Sequence, residues 1–494
     1  VSMDSKPWGL DLGGQKMVAR LRQCLLVFLL VVLTACTGAK TASGLETQVV
    51  RSPTIATAYP ATSVPTIPLP TSTPISPTLS LAPSPLPTNS PAVSVSPGLK
   101  ITQFRMFDGK TGWALHEEYI SANSWGGKIL RTMDSGKTWK NVSPPTPTGY
   151  SNVPSVAFVD ADIAIAVYSK SFMPKSLNTE ITTRRTTDSG QTWQTGDTIP
   201  LNHPPLMRIR QILMADSQNG WMLGESTATM GKSSITLFAT KDGGYHWEVV
   251  YDSDTNFQAN GNDLHTLWGF SNYPYGEQAF TFTTLTRGFY SNGDLFVSQD
   301  GGKSWQTQPL PPPQDLPDLD AKASQNELWP TTSLPQFVSA QDGVLLRRVY
   351  PRDQVTIPPG SYAGLPKGQY LYFTHDGGQT WSPNPSPAKI GTLYFRDPQA
   401  GWFLGKNDAD PSTSTQLYQT LDGGKTWAQI SRDCPLPLGS VMQFVDAKTG
   451  FAFNPAWTGA AYGDLDKRSG TVSYLFTTID GGQTWEQVTP QLAP

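Results

Sequence analysis

Thr132-Met133-Asp134-Ser135-Gly136-Lys137-Thr138-Trp139 is a short polar turn between two β-prone segments, and close copies of it return six more times along the chain. The copies centre on Asp188, Asp242, Asp300, Asp376, Asp422 and Asp480, the last reading Thr478-Ile479-Asp480-Gly481-Gly482-Gln483-Thr484-Trp485. Departures are small: Tyr245-His246 stands in the third copy and Ser304 replaces Thr in the fourth. The mean spacing of about 58 residues falls in the range of propeller and solenoid repeats. An aspartate that opens a turn can accept hydrogen bonds from backbone N–H groups one to three residues ahead, while glycine supplies a positive φ. Flanking segments such as Lys128-Ile129-Leu130-Arg131 and Trp139-Lys140-Asn141-Val142 make each copy a β-hairpin. The closing tryptophans, Trp139, Trp193, Trp247, Trp305, Trp381, Trp427 and Trp485, are expected to bury their rings between neighbouring sheets.

Upstream of most hairpins lies a second signal, an apolar residue and an Asp followed by Gly-Trp: Phe107-Asp108 with Gly112-Trp113, Asp216 with Gly220-Trp221, Phe395 and Asp397 with Gly401-Trp402, Phe444 and Asp446 with Gly450-Phe451. It is partial in the second and fifth units and most altered in the fourth. Together the two signals predict four strands per unit. Seven such units give an all-β chain, a single seven-bladed β-propeller of four-stranded antiparallel blades, in which ring closure leaves few exposed edges. A linear stack of sheets is the alternative.

Composition narrows the function classes. The chain has 494 residues, 15% of them charged, and a net charge of -3, which argues against nucleic-acid binding through bulk electrostatics. Fifteen Trp, 17 Tyr and 20 Phe supply ample apolar mass for a core. Three cysteines, Cys24, Cys36 and Cys434, cannot build a disulfide framework, and no His/Cys spacing suggests a metal or redox centre, so neither a metal nor a cofactor is expected.

The N-terminal region reads as an address. Arg20 and Arg22 precede an apolar run, Leu25 to Leu33, too short for an ordinary span. It ends in Leu33-Thr34-Ala35-Cys36, which resembles the lipobox of bacterial lipoproteins. That resemblance implies residues 1–35 as a signal peptide, with Met17 as its natural start, cleavage before Cys36 and acylation of the Cys36 sulfur by membrane lipid. An uncleaved N-terminal anchor is the alternative. Residues 36–99 follow as a linker: between Ser52 and Pro97 stand 12 Pro and 17 Ser or Thr and no charge, a composition for polyproline II and coil. Its extended limit is on the order of 140 Å at about 3.1 Å per residue. Residues 100–494 hold the propeller. The expected location is the bacterial cell envelope, on the outer face of the cytoplasmic membrane.

The hairpin sequence is that of the Asp-box, or BNR, repeat. Joined to Phe-x-Asp and Gly-Trp in one seven-unit ring, it most closely resembles the photosystem II stability/assembly factor family, and more distantly sortilin-type and sialidase-type propellers. The resemblance implies a membrane-anchored, non-catalytic scaffold that binds and positions a protein partner. A cell-surface carbohydrate-binding protein is the alternative, and a sialidase-like glycoside hydrolase a more distant one. The seven aspartates serve their own turns and are scaffold rather than catalytic acids. No catalytic residue is assigned, since Arg208-Ile209-Arg210 departs from the Arg-Ile-Pro of sialidases and the chain has length for one propeller. The paired acids Asp318/Asp320, Asp408/Asp410 and Asp464/Asp466 lack the pattern of a calcium loop.

Both repeated turns should share one face, leaving the links between second and third strands and between blades on the opposite face, where binding loops usually sit. Candidate binding residues there are Trp125, Tyr275, Trp329, Tyr350, Tyr362, Trp457 and Tyr462, with Arg208 and Arg210 as a basic patch. Arg105, Arg347 and Arg348 are further arginines expected to approach the central channel.

Overall fold

The computed structural model describes residues 99–121, 124–170, 179–201, 206–226, 232–253, 265–267, 280–291, 293–354, 365–408, 413–454 and 474–493. All of them belong to the second of two compact units, residues 89–494. They form seven antiparallel sheets, each built from strands consecutive in the chain. The first blade runs Ile101–Met106, Gly112–Ser121, Ser124–Thr132 and Thr138–Asn141, and the seventh Val441–Phe444, Gly450–Asn454, Tyr474–Thr478 and Glu486–Val488. Seven core clusters, each shared between neighbouring blades, fill the ring; one joins Phe451, Phe453 and Leu475 of the last blade to Ile101, Met106 and Ala114 of the first.

The Asp-box turn is held by its own side chains. In the sixth blade the Asp422 carboxylate accepts the Thr426 N–H at 2.9 Å and the Thr426 and Thr420 hydroxyls at 2.6 and 2.8 Å. The Thr420 hydroxyl in turn accepts the Gly424 N–H at 2.8 Å. The reach is therefore mainly to the fourth residue ahead, one further than the sequence alone suggests, because two successive residues adopt positive φ and carry the chain around a wider loop. These are Gly423 and Gly424 at 74° and 85°, and in the first copy Ser135 and Gly136 at 66° and 82°. A turn without φ > 0 at both positions would not bring Thr426 back to the carboxylate.

The second signal is an inter-blade device. The apolar residue two before the turn Asp lies over the glycine that opens the second strand: a Cβ on Gly401 would meet the Phe395 ring at 2.7 Å, and one on Gly450 the Phe444 ring at 2.6 Å. In the first blade that place is taken by Met106, not by Phe107. The aromatic after the glycine then stacks on the equivalent ring of the next blade. Trp402 lies 3.6 Å from Phe444 and Trp221 3.7 Å from Phe282, centroid to centroid, each pair nearly parallel, and Trp113 stacks on Phe158 at 5.8 Å. The Trp402 indole N–H also donates to Gly481 O, in the next Asp-box, at 2.8 Å.

In every blade the Asp-box turn donates an N–H to the turn between the first two strands, from Ser135 to Lys110 O through to Gly481 to Lys448 O. Both repeated turns thus share one face, as their sequences suggest. Three additions depart from a plain blade. His265–Leu267 pairs with Lys232–Ser234, Gln491–Leu492 adds a parallel strand outside Thr138–Asn141, and a short helix, Leu319–Ser324, precedes the fifth blade. Residues 306–336 are therefore not a free loop: Leu310, Leu316, Leu319 and Leu328 pack against Tyr370, Tyr372 and Trp381.

Candidate functional site

The face opposite the Asp-box turns is formed where second strands end and third strands begin. Its described part is lined by ion pairs. In the first blade Lys128 pairs with Glu118 at 2.9 Å and Lys100 approaches Glu117 at 3.9 Å, while His116 Nδ1 sits 2.9 Å from Lys100 O. Burial holds the His116 imidazole below its ordinary range. In the second blade Glu180 accepts from Lys170 at 2.9 Å and from the Tyr150 hydroxyl at 3.1 Å. In the third, Arg210 and Glu225 form a largely buried pair at 2.9 Å, side chains 18% and 6% exposed. Tyr290 of the fourth blade is buried beside this pair, and burial pushes its phenol far up.

Among the described residues, the fifth blade carries the aromatic part of this face. Trp329 opens the inner strand Leu328–Thr332 and lies in register with Tyr350 on Gly343–Pro351. The chain turns just after Tyr350-Pro351, and the Arg352 guanidinium stacks on the Trp329 ring, its central carbon 4.1 Å from the centroid. Arg352 NH1 is buried with no hydrogen-bond partner among the described residues. The guanidinium thus covers one face of the indole, held there by cation–π attraction.

The sequence candidates are distributed as follows. Trp329 is half-buried at the rim. Tyr350 is 4% exposed and forms part of the blade wall rather than a surface. Arg210 faces Glu225. Arg208 lies in the strand Leu206–Met214 and Trp125 in Ser124–Thr132, their side chains outside the described set. Tyr275, Tyr362, Trp457, Tyr462 and Cys36 lie outside the described residues. Arg347 and Arg348 do not reach a channel: both lie on the second strand of their blade and are buried, Arg348 donating to Gln369 Oε1 at 2.7 Å and Gly391 O at 2.6 Å. Sequence reasoning missed Arg352 and Glu225. Arg352 was findable as the first cation after the Tyr350-Pro351 strand end, whereas nothing local distinguishes Glu225.

All seven Asp-box aspartates spend their carboxylates on their own turns. Asp188 and Asp422 are pulled down to about 2 chiefly by the hydroxyl, then by the N–H, of the residue four ahead. Every carboxyl shift resolved among the described residues is downward, for example at Asp216, Asp397 and Asp446. No group of three or more His, Cys, Asp or Glu that could hold a metal ion occurs among the described residues.

Comparison with known proteins places the repeats and qualifies the function. A family model described as BNR/Asp-box repeat matches residues 296–307 and 372–383, the fourth and fifth Asp-box hairpins. An oligoxyloglucan-reducing end-specific xyloglucanase of Emericella nidulans is 27% identical over 224 residues, covering 41% of this chain and 25% of its own length. A Paenibacillus xyloglucanase is 28% identical over 158 residues, covering 32% and 15%. This chain thus spans a quarter or less of the curated relatives it matches. Among solved structures, YCF48 from Cyanidioschyzon merolae has a TM-score of 0.36 at 15% identity, covering 72% of this chain and 93% of that one. YCF48 bound to a D1 peptide has 0.37 at 15%, covering 73% and 95%. The Niastella koreensis GH74 enzyme has 0.29 at 11%, covering 80% and 74%. The expectation of a chain without enzyme activity is corrected here, because both curated relatives are xyloglucanases. The chain carries BNR/Asp-box repeats and is a seven-bladed β-propeller.

Proposed function

We propose that the chain is a lipid-tethered propeller that engages polysaccharide at the outer face of a bacterial cytoplasmic membrane, its glycan seated on the face opposite the Asp-box turns. The observation that carries this reading is the likeness to two xyloglucanases. The fifth blade supplies a place suited to it: a half-buried indole with a guanidinium fixed on one of its faces at 4.1 Å. Sugar rings stack on aromatic faces. The tether follows from Leu33-Thr34-Ala35-Cys36 and the Pro/Ser/Thr run behind it.

A second reading, a protein partner held at the membrane, is favoured by one sequence feature, the union of Phe-x-Asp, Gly-Trp and Asp-box in every complete unit. One experiment separates the two. The full chain is titrated against xyloglucan and other β-glucans, with release of reducing ends followed in the same samples. Retention of glycan is expected, with Trp329→Ala weakening it about tenfold or more through loss of the stacking platform. Equal affinity of the folded variant and its parent would remove the fifth blade from the site. No glycan retention, with a stoichiometric membrane protein recovered after in-cell crosslinking, would move the assignment to the second reading.

A further inference from the structure

The residue between the leading Thr, or Ser298 in the fourth copy, and the Asp of each Asp-box stands at the tip of its turn. In four consecutive blades, the second to the fifth, it is Thr187, Lys241, Gln299 and His375. In the other three it is Leu421, Ile479 and Met133, exposed by 70%, 80% and 76%. The hydrogen-bond scheme of the turn makes no demand on this position, so its side chain reports on what the tip meets rather than on how the turn folds.

The three apolar tips fall on neighbouring blades, the sixth, seventh and first. Trp402 of the sixth donates to Gly481 in the Asp-box of the seventh. Across the ring closure a Cβ on Gly136 would meet Leu475 at 2.6 Å, and one on Gly109 would meet Thr449 at 3.5 Å. The tips therefore form one arc on one face. Lys137 and Lys425 stand on these Asp-box turns and Lys110 and Lys448 on the turns bonded to them between first and second strands, all exposed and none making an ion pair among the described residues. Aspartates on these turns outnumber the lysines, but their carboxylates fold back onto turn N–H and hydroxyl groups, as Asp446 does onto Lys448 N and Thr449 N at 2.7 Å. The outward-reaching groups are the lysines and the apolar tips. Leu285, 51% exposed on the fourth blade, stands apart from this arc.

We propose that this arc is a membrane-docking edge: Leu421, Ile479 and Met133 enter the headgroup region of a phospholipid bilayer while the four lysines reach lipid phosphates. Single apolar side chains on separate polar turns do not make the contiguous patch that a protein interface buries. They do suit shallow insertion, in which isolated apolar groups sink below lysines that remain at the phosphate level. The occupant is argued from the rest of the chain, and in this respect the proposal rests on the tethered reading above. Cys36, where that reading puts the lipid, precedes the first described residue by 63 positions. That stretch is far longer than any strand of the ring, so the tether brings the bilayer within reach without dictating which face meets it.

The test uses the full chain with a polarity-sensitive fluorescent amino acid incorporated at position 479 or, as control, at position 299, the same turn position on the polar arc. Vesicles of phosphatidylethanolamine with phosphatidylglycerol are added. Expected is a blue shift with a several-fold gain in emission at 479, little change at 299, and loss of the gain when Met133→Asp and Leu421→Asp are introduced together. If the chain sediments with vesicles while both positions keep their aqueous emission, the tether stands and the docking edge falls. A saturable, salt-sensitive shift at 479 in a chain that salt then strips from the vesicles supports the edge and removes the tether. No association at all overturns both. A shift at 479 that needs only high protein concentration, without lipid, assigns the arc to a second copy and overturns the proposal.

Discussion

At the residue scale the molecule repeats one small electrostatic device seven times. Burial alone would raise the Asp376 carboxyl, but the Thr380 hydroxyl and N–H and the Thr374 hydroxyl together draw it down to about 2. A depressed folded value contributes stability that is complete above the unfolded value, near 3.8, and is lost as pH falls through the folded one. With Asp188 and Asp422 held similarly, melting temperature should be flat near neutrality and fall steeply between pH of about 4 and about 2. Asp376→Ala should cost about 1 to 3 kcal/mol near neutral pH by leaving these donors unmet, and should flatten part of that acid limb. A variant melting at its parent's temperature throughout would remove the carboxylate from the turn's support. This device was readable from the sequence because all its partners lie within six residues, and a local pattern is what a sequence displays. The burial of Tyr350 was not, because its strand partner, Trp329, comes from about twenty residues upstream and no local pattern marks that pairing.

At the scale of the hairpin, seven tryptophans that look equivalent in the sequence divide by what their N–H groups meet. Trp139, Trp247 and Trp305 donate to the carbonyl of the glycine that is the second positive-φ residue of their own turn, at 2.8, 3.1 and 3.0 Å. Trp193 donates to Val142 O of the preceding blade. Trp381, Trp427 and Trp485 bury the same N–H without a partner. Trp305 and Trp381 are 6% and 5% exposed, so replacing either by Phe removes comparable apolar surface from comparable depth. Trp305→Phe should therefore cost about 1 kcal/mol more than Trp381→Phe, the worth of the bond it alone loses. Urea denaturation of the pair measures the difference, and equal costs would show that the indole bond adds nothing to the hairpin. The same scale explains why Gly-Trp was legible as a repeat but not as a contact. Its glycine serves its own blade by admitting the Phe395 or Phe444 ring, whereas its aromatic serves the next one, across a boundary that the sequence pattern does not mark.

At the scale of the whole ring, the four strands of the first and of the last blade each come from one stretch of chain, so the junction between these blades relies first on the contacts that join other neighbouring pairs. It does so with a reciprocal amide: Gln443 Oε1 accepts the Met106 N–H at 3.0 Å while Gln443 Nε2 donates to Met106 O. Gln211 makes the same exchange with Phe280, and Gln336 with Phe395. What differs is covalent context. The third and fourth blades remain linked by the chain if their contact fails, whereas the seventh and first are then linked only the long way round. A second tie spans that junction, where Gln491 N donates to Lys137 O at 3.0 Å and Ala493 N to Trp139 O at 2.7 Å on the outer edge of the first blade. Gln443→Leu and deletion of residues 489–494 each remove one tie, and each alone should cost about 1 to 3 kcal/mol. Together they should exceed the sum of the two by about 1 kcal/mol or more, since with both gone the closing interface can open as a unit. Gln211→Leu should instead add to the same deletion within about 0.5 kcal/mol, its blades being far from the C-terminal strand. Denaturant unfolding of the parent, the three single variants and the two doubles decides it: additivity in both pairs would mean that the ring's closure is no more cooperative than any of its internal seams.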